Sequence, residues 1–164
     1  MNICCRFVMI WLLPMSIYAH PHIFVDLSAK YDAKQQRLYI QWLIDDASSE
    51  LIKLDYDRNR NNRFEPQEVK KFLDREEGYA MLFYRGDFFL HPKRTIEHLD
   101  AKIVDGRVLI TFETDSAASS FVDIWDEESL FSFHVKDISG MSHTKESEGY
   151  FGSRFELEDP HQSR

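Results

Sequence analysis

Twelve consecutive residues, 57 to 68, have the types and spacing of an EF-hand calcium loop. Such a loop binds calcium through side-chain oxygens at positions 1, 3 and 5, a backbone carbonyl at position 7, often a water-bridged group at position 9, and a bidentate glutamate at position 12. Position 6 needs a positive φ, which Asn62 tolerates best after glycine. The sequence therefore predicts a calcium site whose ligands are Asp57, Asn59, Asn61, Arg63 (through its carbonyl oxygen), Glu65 and Glu68.

Helical patterns flank this loop on both sides. Ala47 to Tyr56 has a helical pattern, and the possible N-caps at its start are Asp45, Asp46 and Ser48. Pro66 suits the first position of a second helix, and apolar residues recur at helical spacing from Val69 to Leu73. Three arginines alternate with the ligands, which predicts a weak site because affinity follows ligand charge and rigidity. The alternative is a polar turn between two helices that binds no metal.

The amino terminus predicts a second metal site. Residues 1 to 19 contain Arg6, an apolar run and a small residue before a cleavage site, the pattern of a secretory signal peptide. Cleavage exposes His20-Pro21-His22, whose free amine and two imidazoles suit nickel, zinc, cobalt or copper. Both cysteines leave with the signal peptide, which excludes thiolate ligands and disulfides from the mature chain. The alternative is that His22 only begins a strand and His20 is frayed.

Taken together, these segments resemble one bacterial family, the domain of unknown function numbered one thousand and seven. The resemblance implies a periplasmic component of a transport system, often found beside nickel or cobalt permeases. The chain departs from the family at Asn61 and Asn62, where Asp-Gly is usual, and at Trp125, where Tyr is usual; the first departure implies a lower calcium affinity. The matching segments are His20-Pro21-His22, Trp42 with Asp45, Asp57 to Glu68, and Ile124-Trp125-Asp126.

The predicted fold is mainly β (α+β), a small β-sandwich with the helix–loop–helix inserted at about residues 46–75. Residues 20–158 are predicted to form one domain, with a surface loop at Ser139 to Gly149 and a loose tail at 159–164. Tight hairpins are expected at Arg85-Gly86-Asp87 and Asp105-Gly106-Arg107. Alternating apolar residues predict strands at Ile23–Tyr31, Leu38–Ile44, Ala80–Arg85, Phe88–Leu90, Ile96–Val104, Val108–Thr114, Phe121–Trp125, Leu130–Asp137 and Tyr150–Leu157.

The remaining polar residues give weaker signals. The net charge of −8 disfavours nucleic acid and anionic membranes as partners and is compatible with cations. Neither a nucleophile elbow, nor a phosphate-binding glycine loop, nor a His-Glu-x-x-His helix occurs, so no enzyme is predicted. Further candidate metal ligands, each more simply interpreted as a surface or structural residue, are His91, His98, His134, His143, Asp123, Asp126, Glu127 and Glu128.

Three functional hypotheses follow. The leading one is a periplasmic metal-handling accessory protein, in which calcium holds the helix pair and the terminal histidines capture a transition metal for an inner-membrane permease. The alternative is a calcium-stabilised periplasmic adaptor that docks a membrane partner and has no transition-metal role. A copper enzyme that uses the histidine pair is the third. The chain is too short for the two hinged lobes of a solute-binding protein.

Overall fold

The computed structural model describes residues 23–84, 94–115, 121–125, 131–144 and 152–157. Within these ranges the chain forms two sheets and a helical insertion. The strands are β1 (Ile23–Asp32), β2 (Arg37–Ile44), β3 (Ile96–Val104), β4 (Arg107–Asp115), β5 (Phe121–Trp125), β6 (Phe131–Ser139), β7 (Met141–Thr144) and β8 (Gly152–Leu157); the helices are α1 (Asp46–Tyr56), α2 (Pro66–Phe72) and α3 (Met81–Tyr84).

The larger sheet has five strands in the order β3-β4-β2-β1-β6. β1 runs parallel to β6, and the other neighbouring strands are antiparallel. Because successive side chains of a strand point to opposite faces, one face of this sheet covers the core and the other faces outward. In β1 the inward residues are Val25, Leu27, Ala29 and Tyr31.

The smaller sheet is antiparallel, in the order β5-β8-β7. Gly140 connects it to β6 with a φ of 70°. A Cβ at this position would lie 2.2 Å from the carbonyl oxygen of Tyr31, so the turn requires glycine. The smaller sheet contributes to the same hydrophobic cluster as the larger one through Val122, Ile124, Met141 and Phe155.

Trp42 of β2 joins the helical insertion to the core. Its side chain is fully buried. Its ring centroid lies 5.0 Å from that of Phe83 in α3, 5.8 Å from that of Phe112 in β4 and 4.9 Å from that of Phe133 in β6. Tilted and edge-to-face pairs at these distances are favourable arrangements of aromatic rings. The insertion therefore returns to the sheet through α3 and packs on the same core.

The mainly β (α+β) class is confirmed, as is the insertion of the helices after β2. The predicted hairpin between β3 and β4 is also confirmed, since Asp105 (φ 50°) and Gly106 (φ 82°) both have the positive φ that the favoured two-residue turn requires. The signal peptide, the hairpin at 85–87, the strand at 88–90 and the tail at 159–164 lie outside the described residues. None of the helices in the described ranges is long and apolar enough to cross a bilayer.

Two local predictions are wrong. Ala80–Arg85 is not a strand: Met81–Tyr84 is a short helix, held by bonds such as Phe83 N to Ala80 O (2.9 Å). A short apolar run does not distinguish a buried helical turn from a strand. The predicted loop from Ser139 contains strand β7, which pairs with β8 and buries Met141. Its partner strand β8 lies close in sequence, with Thr144 paired to Arg154, but the polar composition of the segment gave no sign of pairing.

Candidate cation-binding loop

The first residue of the loop follows helix α1, and that helix is fixed to the sheet at its N-terminal end. Asp45 caps the helix, accepting a hydrogen bond from Ser48 N (2.9 Å), and also accepts one from Phe24 N of β1 (2.9 Å). Partial burial acts to raise the pKa of Asp45, but the donors around its carboxylate outweigh burial and lower the pKa overall. Asp45, one of the three possible caps in the sequence, therefore joins β1 to α1.

A buried serine makes the second connection between α1 and the sheet. The Ser49 hydroxyl donates to Ile44 O of β2 (3.2 Å) and accepts from Val108 N of β4 (2.9 Å). Ser49 is fully buried, so without its hydroxyl the Ile44 carbonyl and the Val108 amide would lose a hydrogen-bond partner in a place that water does not reach. The Asp45 and Ser49 connections both lie near the start of α1, so the C-terminal end of α1 is positioned by the loop.

Asp57 begins the loop with a buried carboxylate. Its Oδ1 accepts from Asn61 N (3.2 Å) and its Oδ2 from Asn62 N (2.9 Å). Asp57 is only 4% exposed, and a buried carboxylate is costly unless hydrogen bonds replace its hydration. Asn62 has a φ of 59°, which is the conformation predicted for position 6. The chain therefore folds around Asp57.

The middle of the loop is a continuous series of hydrogen bonds. Asn59 Oδ1 accepts from Asn61 N (2.9 Å), and Asn61 Oδ1 accepts from Arg63 N (2.8 Å). Asn61 Nδ2 then donates to Glu65 Oε1 (3.1 Å). Asparagine side chains commonly bond to the backbone two residues on in this way. The predicted ligand positions 3, 5 and 9 are thus connected to one another.

Glu68 closes the loop. Its Oε1 accepts from Arg58 N (2.8 Å), and its Oε2 accepts from Glu65 N (2.9 Å), which forms a capping box at the start of α2. Pro66 occupies the first turn of that helix, as predicted. Glu68 is 5% exposed. Glu68, the last predicted ligand, therefore connects Arg58, the residue after the first ligand, to the start of α2.

Lys53 is an internal cation next to the loop that the sequence analysis did not identify. Lys53 is 8% exposed, and its ammonium group donates hydrogen bonds to Glu50 Oε1 (2.5 Å) and to Asn62 Oδ1 (3.1 Å). The buried residues of α1, Ser49, Ile52 and Lys53, recur at three- and four-residue spacing. That helical repeat is the sequence signal that would have placed Lys53 on the inner face.

Aromatic rings attach the loop to the helix pair. The ring of Phe72 lies 5.5 Å from that of Phe64, 5.2 Å from Tyr56 and 5.1 Å from Tyr79. Phe64, at position 8, is therefore the apolar anchor of the loop. Lys71 also bridges the helices: its ammonium donates to Asp55 O (3.2 Å) and lies 4.9 Å from the Tyr56 ring centroid.

The donor atoms of this loop fit a hard divalent cation such as calcium. Asp57 and Glu68 supply two buried carboxylates, and the backbone hydrogen bonds to their oxygens occupy only part of the lone-pair capacity of each oxygen. Asn59, Asn61 and the Arg63 carbonyl add neutral oxygens, the donors that calcium prefers. Among the described residues, no group of three or more His, Cys, Asp or Glu side chains lies close enough to hold a metal. The loop therefore offers a divalent cation only a few charged ligands.

The other candidate ligands are not brought together in the described ranges. His98 lies 3.2 Å from a Glu113 carboxylate oxygen and His134 lies 3.5 Å from one of Asp26, and both histidine side chains are 70% exposed. Asp123 makes a two-bond ion pair with Arg154 (2.7 and 2.9 Å). The positions His20, His22, His91, Asp126, Glu127 and Glu128 lie outside the described residues, as does the side chain of His143.

An ionic cluster on the outer face of the larger sheet was also missed from the sequence. Asp26 Oδ2 accepts from both terminal nitrogens of Arg107 (3.2 Å each), while Asp26 Oδ1 lies 3.5 Å from Lys136 Nζ. Arg107 Nε donates to Ile44 O (2.7 Å). These residues come from strands far apart in sequence, so no local pattern predicts their contact.

Comparison with known proteins gives a family match. A family model described as "Protein of unknown function (DUF1007)" matches residues 5–138, most of the chain. The match confirms the resemblance derived from the terminal histidines, Trp42 with Asp45, and the loop. Neither the curated proteins nor the solved structures contain a significant match.

Proposed function

From the premise that the chain belongs to the DUF1007 family, we propose that it is a periplasmic metal-handling accessory protein whose loop, Asp57 to Glu68, binds calcium as a structural clip. The observation that carries the calcium role is the pair of buried carboxylates, Asp57 and Glu68, at the two ends of one closed loop. An ion that binds both carboxylates holds α1 and α2 together.

A clip fits this loop better than a sensor does. The described loop is already closed by its own hydrogen bonds, and its aromatic anchor is packed. The ligand set has three carboxylates, which the arginines at loop positions 2, 4 and 7 balance in formal charge. Weak extracellular calcium modules have dissociation constants of about 10⁻⁴–10⁻³ M. A secreted protein meets enough calcium to occupy such a site, whereas a cytosolic one does not.

The metal-handling part of the proposal rests on the amino terminus. His20 and His22 combine two imidazoles with the α-amine that signal cleavage creates, a donor set suited to nickel, zinc, cobalt or copper. His22 directly precedes β1, whose start is tied to α1 through Phe24 and Asp45. The expected recipient is an inner-membrane metal permease.

Titration of correctly processed protein tests this role. Nickel, zinc and copper binding is measured by calorimetry on the parent chain and on a His20→Ala, His22→Ala variant. The matched control is His98→Ala, His134→Ala, which removes two exposed histidines elsewhere. We expect the terminal variant, which lacks both imidazole ligands, to lose at least about tenfold in metal affinity, and the control to retain the parental affinity. Equal binding by the terminal variant and the parent refutes the histidine site.

Mass spectrometry of the secreted protein provides the preceding check, because the terminal site exists only if His20 is the first residue. If calcium stabilises the domain but no transition metal binds, the alternative function is favoured: a calcium-stabilised periplasmic adaptor for a membrane partner. The outer face of the larger sheet, with its Asp26–Arg107 pair, is the surface that such an adaptor presents.

A further inference from the structure

Lys53 brings a positive charge to the loop from the inner face of α1. Its ammonium donates to Asn62 Oδ1 (3.1 Å), and Asn62 N donates to Asp57 Oδ2 (2.9 Å), so one residue connects the ammonium to the carboxylate of the first predicted ligand. Asp57 N also donates to Lys53 O (2.9 Å), which places the two residues one helical turn apart. Side chains at that spacing are neighbours, with Cβ atoms about 5–6 Å apart. Lys53 and Asp57 accordingly line the same surface depression.

Water screens the charge of Lys53 less than it screens the charge of its acidic partner. The Lys53 side chain is 9% exposed, whereas that of Glu50, whose carboxylate lies 2.5 Å from the ammonium, is 68% exposed. Exposed charges act weakly on their surroundings, and buried charges are screened much less. Glu50 therefore offsets the ammonium only in part, and a positive charge remains beside Asp57.

We propose that Lys53 is an internal counter-charge of the loop, which holds the loop closed without calcium and lowers the affinity of the loop for calcium. The inference rests on the proposed calcium clip. An ammonium group has three donors and no acceptor, so Lys53 cannot be a metal ligand. Its charge attracts the Asp57 carboxylate in the metal-free loop and repels a divalent cation that binds the same carboxylate. Lys53 thus replaces part of the charge that an ion would supply.

A purely geometric role for Lys53 gives the opposite expectation. If the bond to Asn62 Oδ1 were needed to keep the φ of Asn62 at 59°, its removal would weaken calcium binding. Asn62 N is also held by Asp57, and asparagine tolerates a positive φ. The conformation of position 6 therefore does not depend on Lys53 alone, and the charge is the larger effect. Removal of the ammonium should strengthen calcium binding.

Calorimetric titration of the full mature chain with calcium chloride tests the inference. Lys53→Met keeps an unbranched apolar stem but removes the charge. We expect this variant to bind calcium about tenfold more tightly than the parent, because a unit charge a few ångströms from a divalent ion is only partly screened. Since Lys53 is buried, the ratio of the two affinities should persist in about 0.5 M salt. The matched control, Lys30→Met, removes an exposed cation of the larger sheet and should leave the affinity within about twofold of the parental value.

Amide hydrogen exchange in chelator-containing buffer gives a readout that does not depend on metal binding. The amides of Asn61 and Asn62 both donate to the Asp57 carboxylate. They should exchange on the order of tenfold faster in Lys53→Met than in the parent, and at the parental rate in Lys30→Met. If the methionine variant does not melt cooperatively, Lys53→Gln, which keeps a hydrogen-bond donor without the charge, serves for both measurements.

Weaker or unchanged calcium binding by the Lys53 variant overturns the inference, as does unchanged amide exchange in the metal-free protein. Failure of the clip itself has a different signature. A parent chain that binds no calcium refutes the clip, whereas faster exchange of the Asn61 and Asn62 amides in the Lys53 variant then still supports Lys53 as the counter-charge of a closed loop.

Discussion

Substitution of Glu68 by glutamine provides the most discriminating test of the calcium clip. In the parent chain, about 5 mM calcium is about ten times a dissociation constant of about 0.5 mM, within the range of extracellular modules. Linkage then stabilises the folded state by RT ln 11, or about 1.4 kcal/mol. For a domain of this size, 1 kcal/mol shifts the melting temperature by about 2–4 °C. The parent should therefore melt about 3–6 °C higher with calcium.

The variant should differ from the parent in two separable ways. Glu68 accepts backbone hydrogen bonds at both carboxylate oxygens, from Arg58 N and from Glu65 N. A glutamine offers only one acceptor oxygen, and its amide group faces one of these donors. Without calcium, Glu68→Gln should thus lose about 1–3 kcal/mol in the free energy of unfolding. With calcium it should gain nothing further, because the bidentate ligand is gone.

Differential scanning calorimetry at several calcium concentrations measures both effects. Asp74→Asn is the matched control, because Asp74 also accepts two backbone hydrogen bonds, from Glu76 N and Glu77 N, but lies outside the loop. It should keep the full calcium response. A parent that shows no rise in melting temperature with calcium refutes the clip and leaves a closed polar turn. A Glu68→Gln protein that still responds places the calcium elsewhere.

Three further predictions concern the frame that holds the loop. Tyr79→Phe should raise the free energy of unfolding by about 1 kcal/mol in urea titrations, because the buried Tyr79 hydroxyl has no hydrogen-bond partner among the described residues; a loss of stability contradicts this. Ser49→Ala should cost about 1–3 kcal/mol by the same measurement, since Val108 N loses its buried acceptor, and an unchanged value would refute that role. The lowered pKa of Asp45 stabilises the fold above the ordinary aspartate value of about 4, and this contribution is lost as pH falls through the lower folded value. The stability difference between the parent and Asp45→Asn should therefore shrink below about pH 4, and a difference independent of pH would contradict the assignment.

The sequence was most informative where local chemistry determines conformation. Asn62 was predicted to have a positive φ from the loop pattern alone, and it has a φ of 59°. Strands β1 and β2 follow from the alternation of apolar residues, and the β3–β4 hairpin follows from Asp105-Gly106. In each case the residues that decide the structure are near neighbours. The helix start was likewise predicted, with Asp45, Asp46 and Ser48 as possible caps, because capping depends on adjacent residues; the cap is Asp45.

Features that depend on distant partners could not be read from the sequence. The parallel pairing of β1 with β6 joins residues about a hundred positions apart, and no local pattern specifies it. The Asp26–Arg107 pair and the Ser49–Val108 bond have the same origin. Even in the loop, the residue types identified candidate ligands, but not that Glu68 bonds to Arg58 N. That contact needs both ends of the loop in place.

The position of α1 determines how the two proposed metal sites relate. Asp45 joins its N-terminal end to Phe24, four positions after His20 of the proposed terminal site, while Asp57 follows its C-terminal end. A helix of 11 residues is about 16 Å long, at about 1.5 Å for each residue. This exceeds the screening length of about 8–10 Å at moderate ionic strength. On this proposal, a calcium ion at the loop would therefore be screened from a metal held at the start of β1. Since α1 is fixed to the sheet near its start, through Asp45 and Ser49, we expect calcium to stabilise the domain without altering the affinity of the proposed terminal site.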